Sequence, residues 1–249
     1  DISRKVTYAY ITANQGGVQF GNLTHIKEYD DINAPTYYRE TRRTYYPNTT
    51  VAGSIQNWVV GLVGVEGVYN SAGSLINGNW YHYDGNNGNT NTPPTKGALT
   101  RLSKIVPTSC GASCTYARQT IDTYSTYNGY GNVTSTTTYS GYGSRTFNSS
   151  WGIMDETPPA ASTARTTAIT YETGYNLYPV QISNPVGHVT KFEVYGFKNV
   201  AGALITVDGF QKQPGLLKTV IDPNSVTTTY EYDPFGRLYQ IYGQGDSRG

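Results

Sequence analysis

The sequence predicts an all-β chain of repeated antiparallel β-hairpins, and three observations carry that reading. Tyr outnumbers Phe by 24 to 6. Charged residues make up only 14% of the chain while aromatics reach 13%. Short alternating segments also end again and again in Asn, Asp, Pro and Gly. Tyr joins an apolar ring to a hydroxyl that wants water or a partner, so it suits half-exposed sheet faces. Thr and Tyr favour the pleated strand, and Gly and Asn favour its turns. Disorder is the competing explanation for such a polar composition, but it comes with few aromatics and a high net charge. The net charge here is +1, so 249 residues are expected to fold around a thin, Tyr-rich interior.

In chain order, Val6-Thr7-Tyr8-Ala9-Tyr10 reads as the first strand, followed by the aromatic-Gly-Asn-aliphatic signature Phe20-Gly21-Asn22-Leu23. Asn77-Gly78 and Asn128-Gly129 are hairpin signals. Residues 84–97 and 155–166 read as polar loops, and neither marks a domain boundary. The signature returns at Tyr130-Gly131-Asn132-Val133 and at Phe235-Gly236-Arg237-Leu238, with Tyr127 and Tyr232 four residues before their glycines. A second element, Asn184-Pro185-Val186-Gly187-His188, is echoed by Asp222-Pro223-Asn224-Ser225-Val226. No amphipathic helical pattern stands out.

The last unit shows the physics most clearly. Val226, Thr228, Tyr230 and Tyr232 alternate onto one strand face, with Thr227, Thr229 and Glu231 on the other. Asp233 bonds the following backbone, Pro234 sets φ, and Gly236 takes a conformation that side chains resist. The returning strand is expected over Arg237–Tyr242.

Thr227–Leu238 resembles the consensus of the YD/Rhs-repeat family. Asn57-Trp58-Val59-Val60-Gly61, Tyr81–Gly85 and Tyr127–Thr134 are similar to other segments of long bacterial Rhs-type proteins. The resemblance implies that the whole of 1–249 is one repeat region, a fragment or mature portion of a longer protein. It implies a strip of hairpins spiralling into a continuous sheet, shell or tube. Relatives include hollow casings around toxins, Tc toxin components and the barrel of teneurin adhesion proteins. Toxin-bearing relatives end their shell in a conserved core segment with self-cleavage beyond it, and no such segment is recognisable here. Tyr127, Gly131, Asn132, Tyr230, Tyr232, Asp233, Gly236 and Arg237 then stand as structural repeat residues.

Site chemistry is sparse. Cys110 and Cys114, in Ser-Cys-Gly-Ala-Ser-Cys, read as a local disulfide of an oxidising compartment, with free thiols as the alternative. A zinc site lacks further ligands, because His25, His82 and His188 are scattered. Asp84–Asn89 superficially resembles a calcium loop but lacks the sixth-position Gly and the later Glu, so it reads as a solvated loop. Asp30-Asp31 and Asp155-Glu156 are adjacent in sequence, which points their carboxylates apart. No Ser or Cys lies in a nucleophile context. Asn22, Asn48, Asn132 and Asn148 open glycosylation triplets that chance explains in so Asn- and Thr-rich a chain.

These features point to a secreted or cell-surface structural segment without catalysis, cofactor or metal. Its partners are neighbouring repeats of the same or a longer chain, identical copies in a filament, an encapsulated toxin or a cell-surface glycan. The near-zero charge argues against nucleic acid as a main partner, and no apolar run is long enough for a helix to span a membrane. Two further readings stay open: a filament-forming subunit, and an adhesin presenting Tyr and Trp to sugars.

Overall fold

A computed structural model describes residues 4–11, 21–46, 50–51, 54–55, 61–85, 93–106, 117–147, 153–207 and 213–246. The strands follow the alternating Thr- and Tyr-rich segments. In order they are β1 (Lys5–Tyr10), β2 (Leu23–Tyr29), β3 (Arg39–Tyr45), β4 (Thr50–Val51), β5 (Ser54–Ile55) and β6 (Val63–Asn70). Next come β7 (Leu75–Tyr83), β8 (Leu99–Ile105), β9 (Ala117–Tyr127), β10 (Val133–Tyr139), β11 (Gly143–Phe147) and β12 (Ile153–Thr157). The last are β13 (Ala164–Tyr171), β14 (Pro179–Ser183), β15 (Val189–Val194), β16 (Leu217–Ile221), β17 (Thr227–Tyr232) and β18 (Leu238–Tyr242). Sixteen of them form one antiparallel sheet in which most strands pair with their sequence neighbours, as hairpins require. β11 pairs β9 and β12 beside the main path, and β4 and β5 form a separate pair. The only helical element among the described residues is a short 3₁₀ turn, Ala161–Thr163.

The chain packs as two compact units. The first comprises Asp1–Tyr124 with Thr138–Ala164, the second Ser125–Thr137 with Arg165–Gly249. In the first, register places Val65 opposite Trp80 and Trp80 opposite Ser103. One face therefore gathers Val65, Trp80 and Ile105 into a core, with Leu75 packed against it. Each such burial contributes on the order of 1.5–3 kcal/mol. Tyr46 and Tyr83 add an edge-to-face pair with ring centroids 5.5 Å apart, and the Tyr46 hydroxyl donates to the Tyr81 carbonyl. Burial pushes both phenols up to about 12. The Tyr-rich interior expected from composition is present here. In the second unit Val180, Val194, Tyr195 and Ile205 are buried, and Phe197 packs against Tyr175 and Tyr178.

Two sequence expectations are corrected. Asn77-Gly78 lies inside β7, and the reversal falls earlier, at Asn70–Ser74. Gly78 faces Gly67 across the ladder, so its lack of a side chain serves strand approach and not a turn. Residues 155–166 form a connection only over 158–163. Asp155, Glu156 and Thr157 end β12, and Ala164 opens β13 after the 3₁₀ turn.

A regularity invisible in composition appears in the register. Tyr10, Tyr45, Tyr69, Tyr83, Tyr171 and Tyr232 each sit at a register shift, where the partner strand carries an extra residue. Such bulges raise local twist and re-aim side chains, and Tyr69 and Tyr83 are buried beside theirs while Tyr10 is exposed.

Gly78→Ala tests the close approach in β6–β7. A Cβ there would meet the Glu66 carbonyl oxygen at 2.9 Å and Ile105 Cδ1 at 3.2 Å. Denaturant unfolding should show a loss of roughly 1–3 kcal/mol. Gly129→Ala, whose Cβ meets nothing within 4 Å, should stay within about 0.5 kcal/mol. Equal midpoints for the two variants would refute the steric account.

Candidate functional site

The feature that recurs through the second unit, with one partial copy in the first, is a five-residue turn. At its clearest copy Asp233 Oδ1 accepts from the backbone N–H groups of Phe235 and Arg237, both at 2.9 Å. The Asp233 carbonyl accepts from Gly236 N, and Asp233 N donates to the Arg237 carbonyl. Gly236 lies in the left-handed region at φ +79°. The Arg237 Nε adds a 2.6 Å bond to Asp233 Oδ2. Its backbone and side-chain bonds to the carboxylate, with the Phe235 N–H, hold Asp233 below the usual carboxylate range.

The same four bonds recur at Asn128, Asn184, Asn199 and Asp222. The fourth residue is left-handed each time: Gly131, Gly187, Gly202 and Ser225. At Asn70 three of the bonds are present, with Gly73 at φ +76°. The aromatic-Gly copies at Gly131 and Gly236 and the Asn-Pro-Val-Gly element with its Asp222 echo are therefore one turn, whereas Phe20-Gly21 has Val18 where the Asx would stand. Its rule is Asx followed three residues later by a left-handed residue, which is Gly at every copy except Asp222–Ser225. Applied as a spacing, that rule picks out Asn70–Gly73 and Asn199–Gly202, which motif reading passed over.

Each singled-out repeat residue has a place. Tyr127 ends β9 immediately before its turn, and Gly131 and Asn132 complete that turn. Asn132 Nδ2 also donates to the Asn176 carbonyl, so this triplet's amide is already engaged. Tyr230 and Tyr232 lie half-buried in β17 opposite Ile241 and Leu238. Arg237 and Val226 are closing turn residues and not strand residues, because each gives its N–H to the Asx carboxylate. Cys110, Cys114, Phe20, Asn48, Asn148, residues 57–60 and residues 86–92 of the 84–97 loop lie outside the described residues.

Two other carboxylates act as backbone anchors. Asp84 accepts from the N–H groups of Thr95, Lys96, Gly97 and Ala98. Burial pushes its carboxyl up, but the four donors outweigh this and hold it below the usual range. Glu172 is buried and takes N–H donation from Gly174, Tyr175 and Leu177, with the same balance and outcome. Oxygens committed in this way are poorly placed to ligate a cation, and no metal-competent group of His, Cys, Asp or Glu occurs among the described residues.

The first unit also holds a cluster of buried charges that the sequence did not reveal. Arg145, fully buried, donates through Nη2 to Ser103 Oγ at 2.7 Å and to Glu156 Oε1 at 2.6 Å. Arg101 binds Asp122 Oδ2 at 2.8 Å and also pairs with Glu156. Register explains the assembly: Ser103 faces Asp122, Arg101 faces Tyr124, and Arg145 faces Glu156. Gly143 leaves the room, since a Cβ there would lie 2.6 Å from Asp122 Oδ2. The guanidinium planes lie over Trp80 and Tyr124. Burial, and then the neighbouring Arg101, lower Arg145 to about 10. Among the described side chains two cations balance two carboxylates, and each carboxylate is tied to a guanidinium. That arrangement stiffens the unit and leaves little freedom for proton transfer.

Comparison with known proteins places the C-terminal hairpins. Residues 215–246 match the family model of the RHS repeat. No curated protein matches the chain. Among solved structures, the chain is similar to TcdB2-TccC3 without its hypervariable C-terminal region, at 15% identity and a TM-score of 0.37 over 90% of this chain and 11% of that one. TcdB2-TccC3-TEV gives 15% identity and 0.28 over the same shares. The Photorhabdus luminescens Tc holotoxin pore gives 12% and 0.19 over 90% and 13%. The chain thus spans about a tenth of the length of the solved chains it resembles.

Two experiments probe the turn and the cluster. Ser225→Gly should raise stability by up to about 1 kcal/mol by relieving a left-handed non-glycine. Gly236→Val should lower it by roughly 1–3 kcal/mol. The opposite order of melting temperatures would remove the turn assignment. Arg145→Met should cost about 3–5 kcal/mol by stranding a buried charge, and adding Glu156→Leu should recover much of that loss. Unchanged unfolding in the single variant would show that the cluster holds nothing together.

Proposed function

We propose that this RHS-repeat chain is a length of β-sheet wall in a longer secreted or cell-surface protein, and that its work is structural and not catalytic. The observation that carries the reading is the turn repeated from Asn70 to Arg237, which closes strand after strand into an antiparallel sheet. A wall needs a unit that reverses the chain, saturates its own backbone and can be iterated, and this turn meets all three needs. The described carboxylates are consistent with it, because they serve turns, loop anchors and a neutral buried cluster. On this reading the whole of 1–249 is one repeat region, whose partners are neighbouring repeats and whatever polypeptide the wall encloses.

A second reading, a subunit of an extracellular filament, is favoured by the sheet edges. β18 pairs only with β17 among the described residues, and Leu238, Tyr239 and Ile241 are exposed on it. An edge without Lys or Pro accepts another strand readily. Electron microscopy of the native material, read with the intact mass of its polypeptide, separates the two. Closed hollow particles from a much larger polypeptide are the expected result. Regular filaments of a 27.3 kDa chain would establish the second reading instead. Dispersed monomers of that mass would sink both.

A further inference from the structure

At the β1–β3 end of the first unit the sheet face that carries the core further on is open, and it forms a groove of about 530 Å³. That volume is in the range of small-ligand sites. Its lining includes Tyr29 and Tyr37 as aromatic walls and Lys27 and Arg42 as cations, with Glu40 beneath them. The placement follows from register, since Lys27 faces Glu40 and His25 faces Arg42 across β2–β3.

The cations are held in position. Glu40 is 2% exposed, and its Oε2 accepts from Arg42 Nε at 3.0 Å and Nη2 at 2.7 Å. A face of the Arg42 guanidinium lies 4.3 Å from the Tyr69 ring centroid. Burial pushes the Glu40 carboxyl up, but the Arg42 bonds and charge outweigh it and keep the group ionised. Lys27 Nζ sits 3.8 Å from Glu40 Oε1 and 5.1 Å from the Tyr37 ring centroid, with 39% of its side chain exposed. Two cations on one buried carboxylate leave a surplus positive charge at the mouth of an aromatic groove. Lys5, stacked on Tyr29 at 4.6 Å, adds to it.

We propose that this groove binds an acidic saccharide, with a carboxylate or sulfate group taken by Lys27 and Arg42 and a sugar ring set against Tyr37 or Tyr29. A guanidinium clamped on one edge and stacked on one face loses little freedom on meeting an oxyanion. Tyrosine rings offer sugars a flat apolar face with a polar rim. Nothing in this site depends on whether the sheet builds a closed wall or a filament.

The test is calorimetric titration of the full chain with three probes: an oligogalacturonate, a heparin-derived hexasaccharide and a neutral cello-oligosaccharide. The expected result is binding of at least one acidic probe, roughly tenfold or more tighter than the neutral one and weakened by added salt. Lys27→Gln and Tyr37→Ala should each weaken it by about tenfold, while Lys104→Gln, outside the groove, should change nothing. Both groove positions are partly exposed, so the variants should fold, and their melting curves confirm it. No binding of either acidic probe, equal binding of the neutral one, or binding indifferent to both groove substitutions overturns the proposal.

Discussion

At Asn70, Asn128, Asn184, Asp222 and Asp233 a strand is turned back within five residues while its backbone polar groups stay bonded. The Asx side chain does this. One oxygen accepts two N–H groups that would otherwise point into the bend, and the residue three positions on goes left-handed to let the chain return. The outgoing strand meets the returning one in register because the turn has a fixed length. Where a register shift occurs, a tyrosine often stands at it. Turn, bulge and aromatic thus act together, and cross-strand burial depends on them. Gly67 and Gly78 can face each other only because Asn70–Ser74 places β6 and β7 in that pairing.

Charge plays two separate parts. At the turns it is exposed and local, as in the Asp233–Arg237 pair. In the first unit it is buried and long-range, joining β8, β9, β11 and β12 through Arg101, Asp122, Arg145 and Glu156. Burying four charges together is unfavourable unless each finds its counterpart, so the cluster enforces one arrangement of these strands more than it adds stability. At the β1–β3 end the corresponding face keeps a cation surplus and stays open. The same sheet can therefore be sealed along part of its length and receptive at one end.

A good part of this was legible in the residues. The Tyr-to-Phe ratio, the low charge and the Asx-Pro-x-Gly segments lead to antiparallel hairpins. The place of the turn at Asp233–Gly236 and its Asp-to-backbone bonding could be read off, because its partners lie within five residues, although Arg237 read as strand and closes the turn instead. Reading Asn77-Gly78 as a turn failed for a definite reason. The dipeptide has the right local chemistry, but a glycine is also what a strand needs where a neighbouring backbone crowds it. The 155–166 segment failed likewise, since its Thr and charged residues look like a loop until Arg101 and Arg145 arrive from elsewhere to pair with Glu156.

The sequence by itself determined the class of fold and the turns, because those rest on interactions between residues a few positions apart. It also carried the RHS resemblance of the last hairpins. Only the tertiary structure decided which faces are buried, that four distant charges converge, and that Lys27, Tyr37 and Arg42 share one groove. Those outcomes depend on strand register. A shift of one residue sends every side chain to the opposite face, and nothing in the local sequence of one strand states which residue of the next it will meet.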